Sequence, residues 1–132
     1  MISGILESKA FNFIARLMLT SPFWTAGITR LVNWNGGIAE MTHFGLHPPA
    51  AFNAATATTE IVGSLLVLFG PYCWLGAGWL GIFTILTIPI AHAFWIMPEP
   101  ARTLESYTAI EHLAMVGGLA LAAVLRQRDT RR

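Results

Sequence analysis

Ala50–Gly70 reads AAFNAATATTEIVGSLLVLFG, and its interpretation decides the fold. A membrane-spanning helix needs about 20 mostly apolar residues. This stretch supplies them with a single carboxylate, Glu60, near the middle. A charge at that depth costs at least ~2.5 kcal/mol on insertion scales, so Glu60 is expected to face protein or water rather than lipid. Thr56, Ala57, Gly63 and Ser64 stand three or four residues from it, on one helical face. Small residues there let a second helix approach closely. Leu65, Leu66, Leu68 and Phe69 crowd the C-terminal half and suit lipid or packing.

The composition agrees. Of 132 residues, 55% are hydrophobic and 11% charged, less than half the roughly 25% charged residues of a soluble domain. A single transmembrane domain over residues 1–132 is expected. The net charge of +1, without a basic groove interleaved with aromatics, sets nucleic acid aside. The lone Cys73 allows no internal disulfide, and without a C-x-x-C pair the chain is not a thiol–disulfide carrier on its own.

Working outward, the segment before this span is apolar from Ala10 but holds Arg16, Pro22 and Arg30. Arg16 interrupts any signal-peptide core, so the segment is expected to be a first span rather than a cleaved leader. Arg16, Thr20, Phe23, Gly27 and Arg30 form one helical stripe. Arg16 and Arg30 are ~21 Å apart along the axis, near opposite ends where long side chains snorkel. Pro22 is expected to kink the helix. Trp34–Pro49 is expected to be a loop broken at Asn35-Gly36-Gly37, with a short interfacial helix over residues 38–44 and exposed His43 and His47. Pro48 and Pro49 suit the first turn of the next helix.

Beyond Gly70-Pro71, Trp74–Trp95 is the third span, with Pro89 and His92 late in it. Ile96–Ser106 is expected to be a polar loop with Glu99, Arg102 and Glu105. Tyr107–Leu125 is the fourth span, with Glu111 and His112 early and Gly117-Gly118 midway. The expected fold is thus all-α: an integral membrane four-helix bundle with spans at approximately 10–32, 51–70, 74–95 and 107–125. The tail carries Arg126, Arg128, Arg131 and Arg132. With Lys9 and Arg16 it places both termini in the cytoplasm by the positive-inside rule, and it suits anionic lipid. Trp24, Trp34, Trp74, Trp79, Trp95, Tyr72 and Tyr107 fall mostly near span ends, as interfacial aromatics do.

In that topology each helix carries an ionisable group in its outer half: Arg30, then Glu60, then His92, then Glu111 and His112. If they converge they line a polar pocket roofed by the loop with His43 and His47, the usual kind of ligand site in a helical bundle. Structural alternatives stand beside this. Arg30 and Glu60 form an ion pair in either case if they meet. His92 has a second role open to it, bonding carbonyls freed by Pro89. Arg16 is expected to anchor the cytoplasmic interface.

Several stretches together carry a family resemblance over nearly the whole chain. They are Ala15-Arg16-Leu17, Phe23-Trp24-Thr25-Ala26-Gly27 with Arg30, Phe44-Gly45-Leu46-His47-Pro48-Pro49, and Glu60-Ile61-Val62-Gly63-Ser64-Leu65 with Gly70. His92-Ala93-Phe94-Trp95 and Met115-Val116-Gly117-Gly118-Leu119 complete the set. In order and spacing these resemble the DoxX family of small four-helix membrane proteins. One departure is Glu111-His112, where the family often has Lys-Asn.

The resemblance implies a multi-pass protein of the bacterial inner membrane, related to quinone-linked redox subunits. In that role Glu60 and His92 would donate or relay protons, a task that suits histidine with its unperturbed pKa of ~6.5. Arg30 would hold Glu60 or a quinone carbonyl, and Trp24, Phe94 and Trp95 would line the slot. The chain has no flavin motif and no iron–sulfur cysteine set, so electrons would come from a redox partner. A haem between His92 and His112, or a metal at Glu60, His92 and His112, are minor alternatives without a close-spaced ligand motif, and no metal is expected. Two other classes stay open: a non-catalytic anchor or assembly subunit using glycine-rich faces at Gly76, Gly81, Gly117 and Gly118, and a small-solute or proton pathway through Glu60 and Glu111. A narrow four-helix bundle would need to form a homo-oligomer for the last.

Overall fold

The computed structural model describes residues 1–131; Arg132, counted above in the basic tail, lies outside them. The described residues form helices and short connections, with no strand: α1 (Ile2–Leu6), α2 (Lys9–Val32), α3 (Trp34–His43), α4 (Pro49–Leu68), α5 (Cys73–Ala91) and α6 (Ala101–Asp129), with a 3₁₀ turn over Phe94–Ile96. The four expected spans correspond to α2, α4, α5 and α6. The expected count of four helices is therefore corrected to six, because α1 and α3 are short elements of their own. Three helical segments are long and apolar enough to cross a membrane: Pro49–Leu68, Cys73–Ile96 and Ala101–Asp129. α2 has the length, 24 residues, but Asn12, Arg16 and Arg30 dilute its apolar character.

Local chemistry sets most boundaries. Ser8 caps α2 by accepting from the Phe11 amide at 3.1 Å. Pro49 opens α4 at a position where no amide donor is needed. Gly70, at φ +72°, makes the left-handed turn between α4 and α5 that a side chain would resist. The break between α2 and α3 falls at Asn33, whose side chain accepts from the Gly36 amide at 3.1 Å. Asn35, Gly36 and Gly37 therefore begin α3 rather than interrupting a helix. Pro22 does not end α2, which continues through it. α6 starts at Ala101, so the expected polar loop shrinks and Arg102 and Glu105 stand in the first turns of that helix.

Packing follows the chain: α2 on α4, α4 on α5 and α5 on α6, with α3 laid against α4 and only a light contact between α2 and α6. The core joins Phe23, Val67, Cys73, Ala77, Leu80 and Leu119, flanked by Leu19, Phe83 and Met115. α4 and α5 touch backbone to backbone. A Cβ on Gly76 would stand 2.6 Å from the Gly63 carbonyl and 2.9 Å from the Val67 amide. Outside this core, Ile82, Leu113 and Leu121 are about two-thirds exposed. Large apolar groups facing outward on spanning-length helices call for lipid around them.

Candidate functional site

The buried residues of α2 are Arg16, Thr20, Phe23 and Gly27, the inward members of the stripe legible in the sequence. On α4 the buried face holds Asn53, Ala57, Glu60, Gly63 and Ser64. Where these faces meet at Gly27, an added Cβ would lie 3.2 Å from the Glu60 Cβ. The close approach lets Arg30, one turn further along α2, reach Glu60.

Arg30 is the hub of the first polar cluster. Its Nε donates to Glu60 Oε2 at 3.2 Å. Its Nη1 donates to Glu40 Oε2 at 2.5 Å and to Asn53 Oδ1 at 3.4 Å. Glu60 is 4% exposed and Asn53 fully buried, while Glu40 is exposed. One guanidinium thus faces a buried and an exposed carboxylate. The Asn53 amide lies flat on Gly37, where any Cβ would collide with it, and its Nδ2 has no hydrogen-bond partner among the described residues.

The second cluster joins the end of α5 to the start of α6. His92 Nδ1 is 2.5 Å from Glu105 Oε2. The His92 and His112 rings meet edge to face with centroids 4.7 Å apart. His112 Nδ1 donates to the Thr108 carbonyl at 2.9 Å. His92 thus turns to Glu105 across the interhelical connection. Glu111 is exposed on α6 and makes no side-chain hydrogen bond or ion pair with either cluster. The expected residues therefore fall into two groups: Arg30 with Glu60, and His92 with His112. No group of three or more His, Cys, Asp or Glu side chains among the described residues is arranged to hold a metal ion.

An apolar cavity of about 230 Å³ lies between α3, α4 and α5, lined from α3 and its following turn by Met41, Phe44 and Leu46, from α4 by Phe52, Thr56 and Thr59, and from α5 by Phe83, Thr87 and Ala91. His43 and His47 are exposed and do not roof it. No member of either cluster lines it, although in the chain Met41 follows Glu40, Thr56 is one turn from Glu60, and Ala91 precedes His92. None of Trp24, Phe94 and Trp95 lines it.

Glu40, Asn53 and Glu105 are the members that sequence reasoning missed. Glu105 lay in a segment expected to be a loop, and Glu40 in the short interfacial helix expected over residues 38–44. Asn53 had a usable signal, a lone amide seven residues before Glu60, hence two turns along the same face. Arg16 has partners that the sequence did not disclose. It is buried within the protein, and its Nη1 donates to the Val67 carbonyl at 2.7 Å and the Leu68 carbonyl at 3.0 Å, closing the C-terminal end of α4.

The DoxX family model matches residues 11–93, which run from the first turn of α2 past the end of α5 and include Arg30, Glu40, Asn53, Glu60 and His92. No curated protein and no solved structure matches the chain.

Proposed function

The chain belongs to the DoxX family, and on that premise we propose that it is an integral subunit of a quinone-linked redox assembly in the bacterial inner membrane. α2 acts as a fourth span, and both termini lie in the cytoplasm, where the basic tail favours them. The observation that carries the proposal is the apolar cavity between α3, α4 and α5, whose lining residues Thr56 and Ala91 stand one turn from Glu60 and next to His92 in the chain. At about 230 Å³ it suits a quinone ring whose tail leaves into lipid.

Reduction of a quinone takes two electrons and two protons. A redox partner supplies the electrons, because Cys73, buried in the core, is the chain's only cysteine. His92, in contact with Glu105 and His112, exchanges a proton at the α5 end of the cavity. Glu60, held by Arg30, is the candidate relay at the α4 side. A non-catalytic assembly subunit is the second interpretation, favoured by the three side-chain acceptors that Arg30 already meets, Glu60, Glu40 and Asn53. In that case the cluster fastens α2 and α3 to α4 and meets no ligand.

The test is the quinone content of protein purified gently from its native membrane, compared with Thr56→Trp, which fills the cavity. The redox-subunit proposal expects bound quinone in the wild type and its loss in the variant, with helicity unchanged. Quinone absent from both, or retained equally, favours the assembly subunit.

A further inference from the structure

The cavity at the other end of the bundle plays no part in that chemistry. It has a volume of about 720 Å³ and lies between the α1–α2 corner and the last turns of α6. Its charged lining is Lys9, Arg16, Arg126 and Arg128 against Glu7 and Asp129. The four cations outnumber the two acids, and no salt bridge joins these groups among the described residues. Arg16 is spent on the Val67 and Leu68 carbonyls and on Asn12 Oδ1 at 2.9 Å. The others are not. Arg126 touches only the Gly70 carbonyl, at 3.5 Å through Nη2, and its buried Nε has no acceptor among the described residues. Lys9 and Arg128 are exposed at the rim. A buried guanidinium N–H without an acceptor is costly to leave unmade, and guanidinium groups are shaped for phosphate oxygens.

The rest of the lining says which phosphate. Leu6, Phe13 and Leu125 give the cavity apolar walls. Phe69, Tyr72 and Trp74, on the neighbouring α4–α5 turn, are each more than half exposed, as aromatics at a membrane–water boundary are. Cations and apolar walls together at that level fit a headgroup with its acyl chains. We infer that this cavity binds the phosphate of an anionic phospholipid, with Lys9, Arg126 and Arg128 on the headgroup and Leu6, Phe13 and Leu125 along the chain. The site does not depend on the quinone proposal, since the two cavities share no residue.

Native mass spectrometry in detergent with added phosphatidylglycerol tests it. Phosphatidylcholine serves as the zwitterionic control and inorganic phosphate as competitor. One phosphatidylglycerol per chain is expected to persist where phosphatidylcholine does not. Lys9→Gln, a surface change that leaves the fold intact, should weaken it about fivefold, and Arg126→Gln with Arg128→Gln by about fivefold per cation removed. Arg131→Gln, outside this cavity, should leave it unchanged. Equal loss from Arg131→Gln would mean diffuse attraction to the tail and overturn the site. Equal retention of phosphatidylcholine, or retention by all variants, overturns it too. Displacement by inorganic phosphate at millimolar concentration would make it a free-anion site and overturn the lipid assignment.

Discussion

Removing Arg30 should destabilise the protein more than removing Arg30 and Glu60 together. Glu60 is 4% exposed, and Arg30 Nε at 3.2 Å is its cationic partner. At an effective dielectric of about 20, unit charges at that distance attract by ~5 kcal/mol before desolvation. Arg30→Met leaves Glu60 buried and unpaired and also strips Glu40 of its partner. Loss of one member of a buried pair costs roughly 3–5 kcal/mol. Replacing both, as Arg30→Met with Glu60→Leu, removes the stranded charge and should recover about 2–3 kcal/mol of that loss. The assay is unfolding in mixed micelles by increasing sodium dodecyl sulfate, followed by circular dichroism, for wild type, both single variants and the double. Hydrogen bonds between membrane helices typically couple by only ~0.6 kcal/mol. A coupling near that value, or additivity within about 0.5 kcal/mol, would refute an ion pair as the fastening between α2 and α4.

Other substitutions probe the remaining contacts. Gly76→Ala, whose Cβ would meet α4 backbone atoms at 2.6 and 2.9 Å, should force α4 and α5 apart and cost about 1–3 kcal/mol in the same unfolding assay. Gly78→Ala, with open space around it, should be neutral or slightly stabilising through helix propensity. Arg16→Met should cost about 1.5–3 kcal/mol, because the Val67 and Leu68 carbonyls lose a charged donor. Hydrogen exchange should then rise at the end of α4 before it rises elsewhere.

α4 and α5 were legible because their apolar runs are long and bounded by Pro48-Pro49 and Gly70-Pro71. The inward stripe of α2 was legible because period alone picks out Arg16, Thr20, Phe23 and Gly27. What each polar member of that stripe meets was not. Arg16 bonds residues 51 and 52 positions away, and no local pattern encodes so distant a partner. The start of α6 was hidden because Glu99, Arg102 and Glu105 look like a solvated loop, although polar residues also suit the emerging turns of a membrane helix. That hid Glu105, and with it the partner that draws His92 toward α6. Glu40 was hidden for a different reason, since the short helix expected over residues 38–44 carried no sign that it packs on α4 beside Arg30. Asn35-Gly36-Gly37 reads as a breaker, whereas Asn33 caps a helix in which Gly37 is the gap that admits Asn53.

Photolabelling with an azidoquinone in native membranes, followed by peptide mapping, most directly tests the quinone site. Label is expected on peptides containing Phe44–Thr59 and Phe83–Ala91, and excess unlabelled quinone should compete it away. Label confined to the lipid-facing side of α6, or insensitive to competition, would contradict a quinone site between α3, α4 and α5.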